Sequence, residues 1–365
     1  MPKFTPDKLG FGQPNALTDT GPNFQVTGGS KYTPGDGYVY HIFTHPNGAH
    51  GPTGYSPHPA TLSIQDAPGS MVVDALILGG GGGGGHDAGG GGGGGSAVEY
   101  VNYPVSSTDY AVTVGCKGAG GQTAARYSPE GLGPIGPQDT PGQNSSGEPG
   151  GTSSLFGLTV NGGGGGGRGQ SGTGSQNGWQ DGRPRGGGGG GAYSSSGTQG
   201  EGGNAGPQPA PSPFATGYGP GQGAPGLNTI ETAGGGSGIN GVNVGVSPGG
   251  PPYQNQNGGE GRPFVTRWAN VGPVIGAPNT GPEGVFVGGG GGGGGWNSSN
   301  HVDGQKGQGG AGAGGGWGTP NNKGGPNVGF PGTNNTGGGA GGGNQDAGGE
   351  GGSGVVMVRY SASIG

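Results

Sequence analysis

Four histidines, His41, His45, His50 and His58, fall within 18 residues. On an extended strand His41 and His45 share a face, an arrangement open to a transition-metal site built on neutral imidazoles. The plainer reading is two polar side chains on a solvent face plus loop histidines. The helical zinc motif His-Glu-x-x-His is absent, because Ile42 stands where glutamate is needed. No metal or other cofactor is therefore expected, and His41 and His45 remain only weak metal candidates. Gly-x-Gly-x-x-Gly recurs, but a dinucleotide fingerprint also needs an amphipathic helix and a following acid. A phosphate-binding loop fails because Lys117 and Lys323 are each followed by glycine. No nucleophile–histidine–acid set and no carboxylate pair stands out, so the chain is not read as an enzyme.

Aromatic residues beside charge carry more information. Trp179 is flanked by Arg168, Arg183 and Arg185, while Trp296 has His301 and Asp303 nearby. Exposed aromatics with arginine are common anchors of binding surfaces and also stack on sugars. Together with His86 and Asp87 these residues form the candidate contact set. The alternative for each aromatic is a cap that shields the last hydrogen bonds at the open end of the glycine bundle.

The elements that must position them are glycine arms. Leu76-Ile77-Leu78 runs into seven glycines, 79–85; His86-Asp87-Ala88 follows, then seven glycines, 89–95, and Ala97-Val98-Glu99-Tyr100-Val101. Two arms of equal length are expected to cross one layer of fixed thickness. At roughly 3.1 Å per residue of a polyproline-II-type helix, seven residues span about 22 Å. Runs at 162–167, 186–191 and 288–295 repeat that length.

With 112 glycines and 33 prolines in 365 residues, the usual expectation is disorder. Collagen is excluded, since its glycine must recur at every third position without a break. Glycine loses the most backbone entropy on folding, and a 25% hydrophobic content cannot offset that over the whole length. Hydrogen bonds between side-by-side extended chains must supply much of the order. The net charge of −6 with only 13 Lys plus Arg argues against a nucleic-acid partner. No apolar run reaches the roughly 20 residues of a membrane span. The start lacks the apolar stretch of a secretory signal, so release by lysis is the expected route out of a cell. Cys116 is the single cysteine, and no disulfide can form within the chain.

In chain order, 1–36 reads as an extended anchoring leader, 37–114 as a β-rich base with the first polyglycine hairpin, 115–354 as a polyglycine-II bundle with variable loops, and 355–365 as the closing strand. The predicted fold is mostly irregular and all-β. A small antiparallel sheet base, closed by N- and C-terminal strands, is topped by a bundle of polyglycine helices, with essentially no α-helix. Glycines after a strand should leave the sheet and glycines before a strand should return. On that rule 79–85, 115–121, 162–167, 288–295 and 337–343 run outward. Runs at 89–95, 149–152, 186–191, 309–316 and 348–354 run inward. The segments 86–88, 122–148, 168–185, 296–308 and 344–347 then lie at the outer end, and 192–233 and 317–336 at the sheet end.

An apolar strand into poly-Gly, Tyr110-Ala111-Val112-Thr113-Val114-Gly115, Ser153-Ser154-Leu155-Phe156-Gly157 before another poly-Gly run, and the closing Gly351-Gly352-Ser353-Gly354-Val355-Val356-Met357-Val358-Arg359-Tyr360 resemble the glycine-rich domain of tailed-phage virion proteins, as at tail-fibre tips. The resemblance covers roughly 37–360 and implies a polyglycine sandwich that displays loops to a host receptor, a glycan or an outer-membrane protein. It also implies a virion location and partner virion proteins, which residues 1–36 would engage, with homo-oligomerisation possible. A capsid or tail decoration protein without a receptor is the near alternative. An ice-binding or extracellular filament protein is the distant one.

Overall fold

The computed structural model describes residues 24–46, 57–86, 89–121, 146–169, 208, 212–219, 258–264, 267–276, 285–288, 290, 328–343 and 347–364. Two antiparallel sheets form the base. In one, β1 (Gln25–Thr27) pairs with β4 (His58–Gln65), then β7 (Thr108–Val114), β8 (Ser153–Leu155) and β9 (Leu158–Val160). The other runs from β10 (Ala215–Tyr218) through β6 (Ala97–Pro104), β5 (Val72–Leu78), β13 (Val355–Ser361) and β3 (Tyr38–Thr44) to β2 (Ser30–Tyr32). The C-terminal strand therefore sits in the middle of its sheet, as a closing strand should. A separate short pair joins β11 (Arg262–Phe264) to β12 (Val285–Val287).

Alternation along each strand explains the packing. Val73, Ala75 and Ile77 of β5, with Val356 and Val358 of β13, face Leu62, Ile64, Val112, Val114, Leu155 and Val160 across the sandwich. Leu76, Leu78, Tyr40, Ile42, Val355 and Met357 point the other way, onto Phe264, Trp268, Val271 and Ile275. The last three come from a flap made of a 3₁₀ turn (Ala269–Val271) and α1 (Gly272–Ile275). Because both faces are covered, β5 and β13 read as continuous apolar runs. Each fully buried leucine or isoleucine contributes roughly 1.5–3 kcal/mol.

The expected leader needs correction. Residues 25–27 and 30–32 are edge strands, one in each sheet, joined across the side of the sandwich by Gly28 and Gly29. Both glycines have positive φ, +106° and +60°, and a Cβ at either would strike the carbonyl of Thr61 or Ile42. Residues 1–23 lie outside the described residues.

From one edge of this sandwich rise the glycine arms. Every N–H of 79–85 donates to a neighbouring chain at 2.8–3.0 Å, and the partner changes with a period of three. Residues 79, 82 and 85 donate to Ser96, Gly93 and Gly90; 80 and 83 to Gly151 and Glu148; 81 and 84 to Gly352 and Gly349. The carbonyls of 80–85 accept in the same rhythm from Gly163 and Gly166, Gly118 and Gly121, and Ala340 and Gly343. Six described arms thus surround the first one. They also bond to each other in a closed ring, in the order 89–96, 161–169, 146–151, 115–121, 347–354, 337–343 and back to 89–96. This is the hydrogen-bond pattern of threefold extended helices in hexagonal packing, with donors and acceptors pointing sideways.

Direction alternates around the ring. The register shows that 115–121, 161–169 and 337–343 run parallel to the central arm, and the other three run antiparallel. The outward and inward assignments made from strand order hold for all seven arms. A further segment, 328–333, lies outside the ring and bonds to 347–354 and 337–343. The turn at 333–337 lies at the sheet end, where Asn335 donates to the carbonyl of Ile275 in the flap (3.3 Å).

Candidate functional site at the outer end of the bundle

Each ring arm but one is continuous with a strand, which fixes its base. Ser153 ties three of these bases together: its hydroxyl donates to the Leu78 carbonyl (2.6 Å) and accepts from the Gly115 N–H (2.9 Å). Lys117 and Glu350 form an ion pair between two ring arms. At the far end of the arms the chain leaves the ring at His86, Gly121, Arg168–Gly169 and Gly343, and rejoins it at Gly89, Ser146 and Ala347. The connections 87–88, 122–145 and 344–346 therefore begin and end on one surface.

The opposite end of the molecule carries the chain termini of the described region. Phe24 precedes β1 at the end of β4 remote from the bundle, and its ring meets Tyr360 edge-on at 6.1 Å. Residues 361–364 finish at that same end. The molecule thus has a polarity: described termini at one end, and at the other the arm ends from which the connections start and to which they return.

Of the candidate contact residues, His86 and Arg168 are placed, and both are enclosed, at 2% and 3% exposure. The reading of these two as exposed contact residues is corrected. His86 follows the central arm, which has neighbours on six sides, and its carbonyl accepts from the Gly169 N–H (2.9 Å). Asp87, Trp179, Arg183, Arg185, Trp296, His301 and Asp303 lie outside the described residues.

Among the described histidines, His41 stands apart from His45; His50 lies outside the described residues. His41 is 2% exposed, not on a solvent face, and its Nδ1 donates to the Gly28 carbonyl at 2.7 Å. His45 instead faces His58, with ring centroids 5.9 Å apart. Among the described residues there is no cluster of three or more metal-ligating side chains.

A buried ionic network on the flap side escaped the sequence reading. Arg359 of β13 donates through Nε and Nη2 to Asp74 Oδ2 (3.0 and 2.9 Å) and through Nη1 to the Arg267 carbonyl (2.7 Å). Asp74 Oδ1 accepts from the Asn102 N–H (2.8 Å), at a bulge where Asn102 takes φ +52°. Arg267 lies 3.6 Å from both Asp74 and Glu99, and Trp268 Nε1 donates to Glu99 (2.9 Å). Beside it the Tyr40 hydroxyl donates to Asp36 Oδ2 (2.6 Å), which Asn270 also reaches (2.9 Å). Burial first, and then the Asp36 carboxylate, push the Tyr40 hydroxyl up to about 12. Burial alone would raise Asp36, but the hydrogen bonds from Tyr40, Asn270 and the Tyr38 N–H together hold it below its ordinary value. The signal was a single charge in each of the two most apolar strands, opposite in sign: Asp74 and Arg359. These groups fasten the flap and the closing strand.

No protein-family model matches this chain, and no curated protein matches it in sequence.

Proposed function

We propose that this chain is a virion surface protein of a tailed phage, and specifically a fibre-tip adhesin that presents the connections at the outer end of its bundle to a host receptor. The observation that carries the reading is the polarity of the molecule. Arm ends held in a hydrogen-bonded ring fix where each connection starts and stops, so its length and sequence can change without disturbing the lattice. Connections of two, 24 and three residues whose flanking residues share one end of the bundle fit that use. Binding residues are disproportionately found on loops held by a rigid scaffold. Phe24, where the described chain begins, stands at the opposite end; residues 1–23 engage a partner virion protein in this reading, and the receptor is a glycan or an outer-membrane protein.

Replacing Trp179, Arg183 and Trp296 together by alanine is expected to abolish host adsorption while particles still assemble. Normal adsorption by that variant would sink the outer-end assignment and favour a decoration protein. Deletion of 2–23, which leaves β1 intact, is expected to block incorporation into the particle.

A further inference from the structure

We propose that the side of the sandwich carries a binding site for a carboxylate-bearing sugar, in which His41 Nε2 accepts a hydrogen bond from a sugar hydroxyl and the Lys31 ammonium pairs with the carboxylate. A cleft of about 400 Å³ opens there, lined by His41, Lys31, Phe24, Tyr360 and residues 25–29. That is the small end of the range for ligand sites.

The proton inventory of His41 defines the ligand. Its Nδ1 faces the Gly28 carbonyl at 2.7 Å and must carry the hydrogen. Nε2 is then a bare acceptor, and it has no partner although the side chain is buried. Burial above all, with Lys31 adding to it, favours the neutral imidazole. A buried acceptor without a donor is costly, so an incoming hydroxyl is favoured. Lys31 stands directly opposite His41 in the β2–β3 register and is exposed, which puts both side chains on one face of the sheet. Tyr360 stacks on the imidazole with ring centroids 6.0 Å apart, and Phe24 meets Tyr360 edge-on. These rings offer the apolar walls that sugar C–H faces use.

Other ligand classes fit less well. A sulfate dianion would turn oxygen lone pairs toward the Nε2 lone pair, and hydrogen phosphate, which can donate a hydroxyl, has no C–H face for the rings. A divalent cation would find one imidazole beside an ammonium. A neutral sugar leaves Lys31 unused, and a simple carboxylate leaves Nε2 unmet. A uronic acid supplies the hydroxyl, the carboxylate and the C–H face together. The site stands on the sandwich, away from the outer end, and is independent of the proposed adhesin role.

The test is a titration of the full chain with glucuronate, followed by the ¹⁵N resonances of histidine and by calorimetry, with glucose, acetate and inorganic phosphate as parallel arms. Glucuronate is expected to shift the His41 Nε2 resonance saturably with a Kd in the millimolar range. Glucose and acetate should each bind at least about tenfold more weakly. Lys31→Ala, a change on an exposed edge strand, should weaken glucuronate by about tenfold while the thermal midpoint stays put. Absence of a saturable shift at about 50 mM glucuronate, equal binding of phosphate or glucose, or unchanged affinity in Lys31→Ala would each overturn the proposal.

Discussion

The sandwich and the bundle are two halves of one fold that order themselves by opposite means. In the sandwich, side chains do the work: Leu62, Leu76, Ile77, Leu78 and Leu155 are fully buried, and apolar area removed from water is the driving term. In the bundle the side chain is the obstacle. Central-arm glycines meet neighbouring carbonyl oxygens 1.8–2.1 Å from where a Cβ would stand, and order comes from pairing every N–H of 79–85. A hydrogen bond nets only about 0.5–1.5 kcal/mol. An array of them therefore needs a rigid base to set its register, and the strand ends at Leu78, Val114 and Val160 provide it. Apolar burial tolerates small errors of fit, whereas the central arm of the lattice tolerates no added atom.

That contrast can be broken most severely at Gly83. Its Cβ would stand 1.8 Å from the Ala119 oxygen and 2.3 Å from the attached carbon, with backbone that has no room to move. Gly83→Ala is expected to cost more than about 5 kcal/mol, which circular dichroism and solubility would report as loss of the folded chain. A folded, stable Gly83→Ala protein would remove the hexagonal packing from consideration.

In the sandwich the matching single-site blow is Asp74→Ala. It leaves the Arg359 guanidinium buried without its carboxylate and the Asn102 N–H without an acceptor. The expected loss is about 3–5 kcal/mol, read from the urea midpoint. A loss below about 1 kcal/mol would mean that the pair is solvated like a surface bridge.

A smaller, reversible test uses pH. Tyr40 has its folded-state value raised to about 12 from 10.0, so its contribution is complete below pH 10 and is lost as pH rises toward 12, because the unfolded chain releases the proton first. Burial moves Tyr100 and Tyr360 in the same direction. Melting points taken from pH 9 to 12 should fall across that window, and Tyr40→Phe should flatten part of the fall. An equal fall in Tyr40→Phe would assign the alkaline loss to other groups.

The gentlest comparison is glycine against glycine. Gly35 has φ +91° with nothing within 4 Å of where a Cβ would stand, so Gly35→Ala meets only backbone strain, about 1–2 kcal/mol. The same substitution that destroys the fold at 83 should lower the melting point by a few degrees here.

Much of this architecture was legible along the chain. Equal arm lengths imply one layer, and strand-to-glycine order gives each arm its direction, because a chain that leaves a sheet by one edge must come back through the same layer. The spacing Ala347, Glu350, Ser353 also records a threefold helix. Glycines 348, 351 and 354 face the central arm, glycines 349 and 352 face 328–333, and every third residue is free to carry a side chain. That spacing becomes interpretable only when the neighbours are known. The burial of His86 and Arg168 was not legible, since a residue just past an arm looks the same in sequence whether its arm is central or peripheral.

The sequence by itself determined that hydrogen bonds rather than side chains order the glycine layer, and which way each arm runs. Local composition dictates both: glycine has no surface to bury, and apolar strands mark one end of each run. Tertiary structure alone decided that 79–85 is the central arm. It also decided that the closing strand inserts between β5 and β3, that residues 25–32 belong to the sandwich, and that Asp74 meets Arg359. Those are contacts between residues as far apart in the chain as Tyr38 and Ser361, chosen by how two sheets and a flap share one core, and no short-range pattern encodes them.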